Sequence, residues 1–184
     1  HDMYYYPASV FPKHLEFEFY DHQFKNFDTP EALETELLIE HLVELKNGNE
    51  VHIPEYDFGN NEDKIWKRHR WALIKPSEYI IVDGIFSLNN KHLRKLTDVS
   101  IYIEVSPVNQ MARRFMRDWG RGQSRSDMGQ PGMWDDILFY VHHVRKGFNE
   151  FVLPSKQHAD LVVNNDEWIE NDDTPQMVDV AVNY

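Results

Sequence analysis

The sequence lacks cysteine altogether, and it has no apolar run that approaches the length of a membrane span. Disulfide bonds and thiolate metal sites are therefore excluded. No membrane-spanning helix is expected, because such a helix needs about 18 or more consecutive apolar residues. Basic residues are also few: 19 Lys and Arg oppose 31 Asp and Glu, so the formal net charge is −12. This charge argues against nonspecific binding of nucleic acid by the whole surface. We expect a cytoplasmic protein with neither a nucleic-acid nor a membrane partner, since a reducing compartment suits a chain without cysteine.

The remaining composition is that of a folded domain. Hydrophobic residues make up 41% of the 184 residues and charged residues 27%, proportions that are typical of globular proteins and not of disordered ones. A chain of this length can bury one full core, and no linker or internal repeat divides it. We therefore expect a single domain over residues 1–184.

Hydrophobic periodicity predicts strands that alternate with helices. The predicted strands cover residues 15–20, 51–53, 79–86, 99–105, 159–163 and 178–182, and the predicted helices cover residues 31–46, 107–119 and 133–151. We expect Pro54 to end the second strand, residues 59–70 to form a polar loop or ragged helix, and residues 120–132 to be a flexible segment. The continuous apolar run at 79–86 is typical of a strand in a parallel sheet that is covered on both faces. The whole pattern predicts a layered α/β domain with a mostly parallel sheet.

Two segments place an acid beside an aromatic residue. Residues 26–32 read Asn-Phe-Asp-Thr-Pro-Glu-Ala, and residues 53–58 read Ile-Pro-Glu-Tyr-Asp-Phe. Carboxylates can accept hydrogen bonds from sugar hydroxyls, and aromatic rings can stack on a flat base. The two corners therefore suggest a pocket for a small hydroxylated aromatic molecule. Asp28 is equally suited to cap the N-terminus of the predicted 31–46 helix, and the two roles are compatible.

Five arginines lie within thirteen residues of this acidic chain, at positions 113, 114, 117, 121 and 125. The guanidinium fork is always charged and matches phosphate oxygens, so the cluster indicates a site for phosphate groups. The alternative is a solvated helix face. Neighbouring helical residues point about 100° apart, so we expect Arg113 to point away from Arg114 and to form a surface ion pair.

The order of these segments resembles the uridine/cytidine kinase family of P-loop nucleoside kinases, through nearly the whole chain. Several segments carry the resemblance, in the family's order. They are Asp-Met-Tyr-Tyr at 2–5, the segments at 26–32 and 54–58, Val-Asp-Gly-Ile-Phe at 82–86, Arg-Arg-Phe-Met-Arg-Asp at 113–118 with Arg-Gly at 121–122, Phe-Asn-Glu-Phe-Val-Leu-Pro-Ser-Lys at 148–156, and Ala-Asp-Leu-Val-Val at 159–163.

The resemblance implies a P-loop kinase-like three-layer α/β fold. Its mostly parallel sheet would carry a β-rich insertion on the substrate side, and an Arg-bearing lid would cover about residues 119–132. The implied reaction transfers the γ-phosphoryl group of ATP or GTP to the 5′-hydroxyl of a nucleoside, uridine or cytidine, in pyrimidine salvage. Mg²⁺ is the implied cofactor, and a homo-oligomer is a possible assembly.

The resemblance also implies residue roles. Asp2 would orient or deprotonate the acceptor hydroxyl, Arg117 and Arg121 would serve the migrating phosphoryl group, and Asp83 would hold Mg²⁺ through a water molecule. The implied substrate-binding residues are Tyr5, Phe27, Asp28, Tyr56, Phe58, Asn61, Arg114 and Gln130. Asp2 could instead be a frayed chain end, Phe27 a core aromatic residue, and Asp83 a turn residue after a strand.

Three departures from the family pattern stand out. None of the eight glycines belongs to a Gly-x-x-x-x-Gly-Lys-Ser/Thr loop, the element that cradles nucleotide phosphates. We expect this loop to lie before His1, which would make the chain a fragment; the alternative is a degenerate relative. Asn61 and Asp63 replace the family's usual His and Arg, and Asp83 replaces Glu.

These departures keep other functions open. A kinase similar to phosphoribulokinase or nicotinamide riboside kinase would use the same fold on another substrate. A non-catalytic relative would bind nucleoside without transferring phosphate. In the plainest alternative, the acids and arginines of an ordinary α/β domain form only surface pairs.

Overall fold

The computed structural model describes residues 1–19, 22–57, 67–120 and 133–166. The predicted strand at 178–182, the predicted flexible segment at 120–132 apart from Gly120, and most of the predicted loop at 59–70 lie outside these residues. No helix of the described part is long and apolar enough to cross a membrane.

An aromatic hairpin follows three short 3₁₀ turns at the N-terminus, Asp2–Tyr4, Ala8–Val10 and Lys13–Leu15. The predicted strand is confirmed as β1 (Glu16–Phe19), and it pairs antiparallel with β2 (His22–Lys25), which the sequence did not reveal. Phe17 and Phe19 share one face because strand side chains alternate. Phe17 stacks on His143 with ring centroids 4.2 Å apart, so the hairpin packs against the long helix near the C-terminus.

Helix α1 (Thr35–Lys46) begins later than the sequence predicted. A 3₁₀ turn (Pro30–Ala32) precedes it, and Leu33 then adopts an extended conformation (φ −113°, ψ 142°) and forms an antiparallel bridge with Tyr5. This tertiary pairing delays the helix, so Asp28 does not cap it. The predicted end is confirmed, because Gly48 follows the helix with a left-handed φ of 86°, where glycine is favoured.

The structure corrects the region around Pro54. Strand β3 (Val51–Asp57) continues through Pro54 and pairs antiparallel with β4 (Lys67–Ile74), whose first residues were predicted as loop or helix. Pro54 is almost completely buried and lies opposite Trp71. Proline is tolerated in a strand at a position where the hydrogen-bond ladder does not use its missing N–H. Pro54 therefore does not end β3.

The predicted strand at 79–86 is wrong for the described residues. No described strand pairs with this segment, and the side chains of Tyr79 and Ile81 are 78% and 91% exposed. An apolar run becomes a strand only when a neighbour offers backbone hydrogen bonds. An unpredicted short helix, α2 (Lys91–Leu96), follows, and the Asn90 side chain caps it by accepting hydrogen bonds from the amides of His92 and Leu93.

The parallel part of the fold is confirmed. Strand β5 (Ile101–Glu104) pairs parallel with β6 (Leu161–Asn164), and α3 (Pro107–Gly120) follows β5. The expectation of a mostly parallel sheet is not met among the described residues, where the other two sheets, β1–β2 and β3–β4, are antiparallel.

A long helical segment at 133–155, called the 133–155 helix below, leads from α4 (Met133–Phe139) back to β6. The predicted helix is confirmed, but its winding changes along its length. Two π-helical turns, Tyr140–Val144 and Phe148–Val152, alternate with α-helical turns at Arg145–Gly147 and Leu153–Ser155. Core residues from the N-terminus, α1, α2, β5 and this helix pack together. They are Tyr4, Tyr5, Phe11, Ala32, Leu33, Leu38, Leu42, Phe86, Leu88, Leu93, Tyr102 and Val152.

Candidate active site

A cavity of about 440 Å³ lies where the Asp28 corner, residues 82–88, β5, α3 and the 133–155 helix meet. Its wall combines apolar side chains, such as Ile101 and Phe148, with charged ones. The charged residues are Asp28, Asp83, Arg113, Arg114 and Arg117. An apolar pocket with a few convergent polar groups is the usual form of a small-molecule site.

Local hydrogen bonds hold Asp28 at the cavity wall. The Asn26 side chain accepts a 3.0 Å hydrogen bond from the Asp28 amide, which folds the chain into a turn, and the Tyr5 hydroxyl donates to the Phe27 carbonyl at 3.2 Å. Among the described residues, no group donates a hydrogen bond to the Asp28 carboxylate. Burial raises the pKa of this carboxyl, and the positive charge of Arg114 partly opposes that rise. The carboxylate therefore has the capacity to accept hydrogen bonds from a ligand.

Helix α3 brings three arginines to the cavity. Asp118 contacts two of them: Arg114 Nε lies 3.5 Å from one carboxylate oxygen and an Arg117 nitrogen 2.8 Å from the other. Sequence reasoning missed this role of Asp118, although the i,i+4 spacing from Arg114 is a recognisable signal. Arg113 lines the same cavity, so it does not point away as expected. Its expected ion pair stays a prediction; its charge is one of the causes, after the Ser106 hydrogen bond, that lower the pKa of Asp166.

Asp2 is not among the cavity-lining residues, but it is an electrostatic neighbour of Asp83, which lines the cavity. The pKa of Asp2 is raised mainly by burial; neighbouring Asp83 raises it further, and Arg117 lowers it. Gly84 makes room for this arrangement, because a Cβ there would overlap the His1 side chain. Two acids and an arginine thus influence one another where the sequence predicted a catalytic acid and a metal-supporting acid.

The acidic pair suits a hydrated Mg²⁺ ion. Mg²⁺ prefers oxygen ligands and keeps several of its own waters, so one or two carboxylates are a sufficient protein contribution. Asp83 is exposed and can contact such an ion through water. In the part of the chain that the structure describes, no group of three or more His, Asp or Glu residues forms a dedicated metal site.

Tyr5 and Phe27 are not among the cavity-lining residues. Tyr5 is buried in the core with 9% exposure, and the Phe27 ring packs between Tyr5 and Phe11, with centroid distances of 5.4 and 4.7 Å. Phe27 therefore takes the core position that was the alternative to base stacking. Both residues lie on the core side of the segment that contains Asp28 and pack there against each other.

The other sequence-predicted residues have no described side chain. For Tyr56 only the backbone, at the end of β3, is described. The rest lie outside the described residues: Phe58, Asn61, Asp63, Arg121, Arg125 and Gln130.

The 133–155 helix contributes residues that sequence reasoning did not assign to the site. Tyr140, Val144, Gly147 and Phe148 all line the cavity. Glycine is a poor helix former, so Gly147 inside a predicted helix was a usable signal of a close contact. The lining as a whole can hold a hydroxylated ligand at Asp28 and negatively charged groups at the arginines.

Comparison with known proteins gives a consistent result. Residues 14–168 match the model of the Phosphoribulokinase / Uridine kinase family. A uridine kinase from Staphylococcus carnosus (strain TM300) is 36% identical over 151 residues, which are 82% of this chain and 66% of that protein. A uridine kinase from Latilactobacillus sakei subsp. sakei (strain 23K) is 32% identical over 160 residues, 85% of this chain and 69% of that protein. The chain thus spans slightly less than two thirds of the S. carnosus relative.

Proposed function

The chain belongs to the phosphoribulokinase/uridine kinase family, and we propose that it forms the acceptor side of a nucleoside kinase. The proposed reaction transfers the γ-phosphoryl group of ATP or GTP to the 5′-hydroxyl of uridine or cytidine. Pyrimidine salvage, a cytoplasmic location and homo-oligomeric assembly are parts of the same proposal. The similar proteins that are named uridine kinases support it, as does the site.

One observation carries the proposal. The Asp28 carboxylate accepts no hydrogen bond from any described residue, yet it shares a cavity with Arg113, Arg114 and Arg117. A nucleoside that is about to receive a phosphoryl group needs this combination. Its ribose hydroxyls are hydrogen-bond donors, and the group that arrives carries negative charge.

Each residue of the site has a proposed role in the reaction. Asp28 accepts hydrogen bonds from the 2′- and 3′-hydroxyls, and Arg114 balances the charge of this carboxylate. Asp2 accepts the hydrogen bond, and then the proton, of the 5′-hydroxyl as the hydroxyl oxygen bonds to the γ-phosphorus. The bond from that phosphorus to the β,γ-bridging oxygen breaks, and ADP or GDP leaves. Arg117 holds the negative charge of the phosphoryl oxygens. Arg121 and Gln130 remain proposed contacts from the lid, and Tyr56, Phe58 and Asn61 remain proposed contacts to the base.

Mg²⁺ would neutralise charge on the phosphate oxygens, and Asp83 would hold it through a water molecule. Burial is the main cause that raises the pKa of Asp2, and neighbouring Asp83 adds to the rise; a cation beside both acids would favour their charged forms. Arg117 lies near enough to Asp2 to influence its pKa.

The proposed reaction needs a phosphate-binding loop, and these 184 residues contain no Gly-x-x-x-x-Gly-Lys-Ser/Thr motif. We infer that this loop, together with an added strand, would lie between residues 82–86 and β5. Residues of both segments line the cavity. Two exposed side chains in this region support the inference: Ile81 is 91% exposed and Ile103 is 55% exposed. Burial of such apolar surface would stabilise a strand added at this place. Residues 79–86 would then have a neighbouring strand to pair with, as their apolar sequence predicts.

The test uses the protein as its natural source makes it. Its intact mass is compared with 22.0 kDa, and it is assayed with labelled ATP or GTP and Mg²⁺ on uridine, cytidine, nicotinamide riboside and ribulose 5-phosphate. We expect a heavier protein that phosphorylates uridine or cytidine. Arg117→Ala should lower kcat/KM about 100-fold or more, as expected for loss of a group that stabilises transition-state charge. Lys75→Ala is the matched control, because the ion-pair partner of this exposed cation among the described residues is Glu50.

Three outcomes would overturn the proposal. Phosphorylation of ribulose 5-phosphate or nicotinamide riboside in place of uridine and cytidine would assign another kinase of the family. Nucleoside binding without phosphate transfer would assign a binding protein. Equal activity of Arg117→Ala and Lys75→Ala would leave the arginines as ordinary surface cations.

A further inference from the structure

The 133–155 helix touches the Asp28 corner at Gly147, and the contact leaves no room for a side chain. A Cβ built on Gly147 would overlap the Asp28 carbonyl oxygen and would lie 2.9 Å from the Asp28 Cβ and 3.1 Å from its carbonyl carbon. Gly147 itself has ordinary helical dihedrals, φ −59° and ψ −41°. The backbone conformation therefore does not call for glycine, a poor helix former, and the close approach does.

The contact joins backbone to backbone. Gly147 is buried, and no N–H or O–H of a described residue donates to the Asp28 carbonyl. This carbonyl oxygen instead faces the Gly147 Cα, the arrangement of a weak Cα–H···O interaction. Because neither side of the contact is a flexible side chain, an added methyl group can be accommodated only if the Asp28 backbone or the helix moves.

The helix changes its winding on both sides of this contact. The π-helical turns Tyr140–Val144 and Phe148–Val152 flank the single α-helical turn that contains Gly147. Such turns are rare and occur frequently at functional sites. Here they bracket the residue that seats Asp28, and both Gly147 and Phe148 line the same cavity as the Asp28 side chain.

Asp28 is therefore held from two directions. The Asn26 side chain accepts a hydrogen bond from its amide at 3.0 Å, while the helix supports its carbonyl at Gly147. The carboxylate lies between these two fixed points and has no protein donor of its own among the described residues. A displacement of this carboxylate on the order of 1 Å is enough to weaken an oriented contact with a ligand substantially.

We propose that Gly147 is a positioning residue: it sets the place of the Asp28 carboxylate and thereby the preference for nucleosides that carry 2′- and 3′-hydroxyls. This inference rests on the proposed function, in which Asp28 binds those hydroxyls. It adds a residue that acts through Asp28 and touches the sugar only indirectly.

The experiment compares binding of uridine and 2′,3′-dideoxyuridine by calorimetry, using the full-length natural protein. We expect Gly147→Ala to lower the affinity for uridine roughly tenfold or more, the value of a lost hydrogen bond to a charged group. Its affinity for dideoxyuridine should stay almost unchanged. Gly48→Ala is the matched control, because its φ of 86° strains an alanine while nothing lies within 4 Å of the added Cβ. It should lower stability and leave both affinities alone.

A double-mutant cycle separates positioning from a general structural effect. If Gly147 acts through Asp28, Gly147→Ala should change uridine affinity in the wild-type background and not in the Asp28→Ala background. Equal losses in both backgrounds, or equal losses for uridine and dideoxyuridine, would overturn the inference. A wild-type protein that binds uridine no better than dideoxyuridine would overturn the proposed sugar contact and the role of Gly147 with it.

A measurement on the wild-type protein covers the case in which Gly147→Ala does not fold. The NMR resonances of the Gly147 Cα and of the Asp28 carbonyl carbon should shift together when uridine is added, and much less with dideoxyuridine. Uridine binding without a shift at Gly147 would overturn the inference. A protein that binds neither compound would instead count against the proposed function.

Discussion

The Asn89 side-chain amide donates a 3.2 Å hydrogen bond to the backbone carbonyl of Phe151. Phe151 lies inside the second π-helical turn, and its ring also packs edge-on against Phe86, with centroids 6.4 Å apart. The hydrogen bond and the ring contact tie the segment that follows Asp83 to the 133–155 helix. Gly147 ties the Asp28 corner to the same helix, so one helix serves as the scaffold for both acidic parts of the site.

We predict that Asn89→Ala destabilises the protein by about 1 kcal/mol, because a partly buried hydrogen bond is lost and the Phe151 carbonyl loses its donor. Urea unfolding measures this change in the free energy of unfolding. Asn49→Ala is the control: its side chain bonds Glu44 at 2.6 Å in an exposed position, where water replaces the lost donor. Equal effects of the two substitutions would contradict the anchoring role of Asn89.

Tyr4 and His41 give the fold a pH dependence. Their side chains share a hydrogen bond of 2.9 Å between the Tyr4 hydroxyl and His41 Nδ1, which links the N-terminal turn to α1. Burial lowers the pKa of His41 below its usual 6.5, and nearby Glu40 partly opposes the shift. The unfolded state therefore binds a proton more readily, and stability should fall as pH decreases from 6.5 through the folded-state pKa.

We predict that His41→Gln removes part of this acid sensitivity. The urea midpoints of the two proteins should differ least near pH 5 and most near pH 7, because the wild-type histidine contributes fully only while it is neutral. His52→Gln is a suitable control, since His52 is exposed on β3. A constant difference between wild type and His41→Gln at both pH values would refute the explanation.

Some elements of the fold could be predicted from their own residues, and others depend on residues that are distant in the sequence. The strands β5 and β6 and the helix α3 follow from their own residues, because apolar alternation and helical periodicity are local properties. The start of α1 does not, because Leu33 is drawn into an extended conformation by Tyr5. The continuation of β3 through Pro54 likewise depends on its partner Trp71, which lies beyond the reach of any local pattern.

The site was predictable in part for the same reason. The resemblance of residues 26–32 and 113–118 to a known family pointed to Asp28, Arg114 and Arg117, and the cavity brings these three together. The direction of Arg113 was misjudged, because a helix that borders a wide cavity can present adjacent residues to it. Gly147 inside a predicted helix signalled a close contact, but its partner Asp28 could not be foreseen, since the two segments lie about 120 residues apart, a separation that only the fold closes.

Ser100 and Asp160 join the beginnings of the two parallel strands. The Asp160 carboxylate accepts hydrogen bonds from the Ser100 hydroxyl at 2.6 Å and from the Ser100 amide at 2.8 Å. These bonds hold the pKa of Asp160 below its usual 3.8. A lowered pKa contributes stability above pH 3.8, and the contribution is lost as pH falls through the folded-state value.

We predict that Ser100→Ala raises the pKa of Asp160 towards 3.8 and makes acid unfolding less steep. Carboxyl-carbon NMR of Asp160 reports the pKa directly, and circular dichroism follows the unfolding. Ser155→Ala is a control of similar burial, because its hydroxyl donates to the Val152 carbonyl and to no carboxylate. The prediction fails if Ser100→Ala leaves the titration of Asp160 where it is in the wild type.

The charge of Asp28 should lower the stability of the ligand-free protein and strengthen the binding of its ligand. Burial raises its pKa, which means that the folded protein disfavours the charged form relative to the unfolded chain. By linkage, this penalty is absent well below pH 3.8, appears as the unfolded carboxyl ionises, and reaches its full size above the folded-state pKa. Asp28→Asn removes the charge and keeps the shape. It should therefore raise the free energy of unfolding of the ligand-free protein at neutral pH by on the order of 1 kcal/mol.

The same substitution should weaken uridine binding roughly tenfold or more, because a neutral amide is a weaker acceptor for two hydroxyls than a carboxylate. Urea unfolding and calorimetry measure the two effects on one preparation. Asp98→Asn is the control, since its side chain is 91% exposed and contacts Lys46 at the surface, so neither quantity should change much. A loss of stability at neutral pH in Asp28→Asn would mean that the charge of Asp28 is already compensated within the protein. The carboxylate would then serve the fold, and a ligand would not be needed to explain its burial.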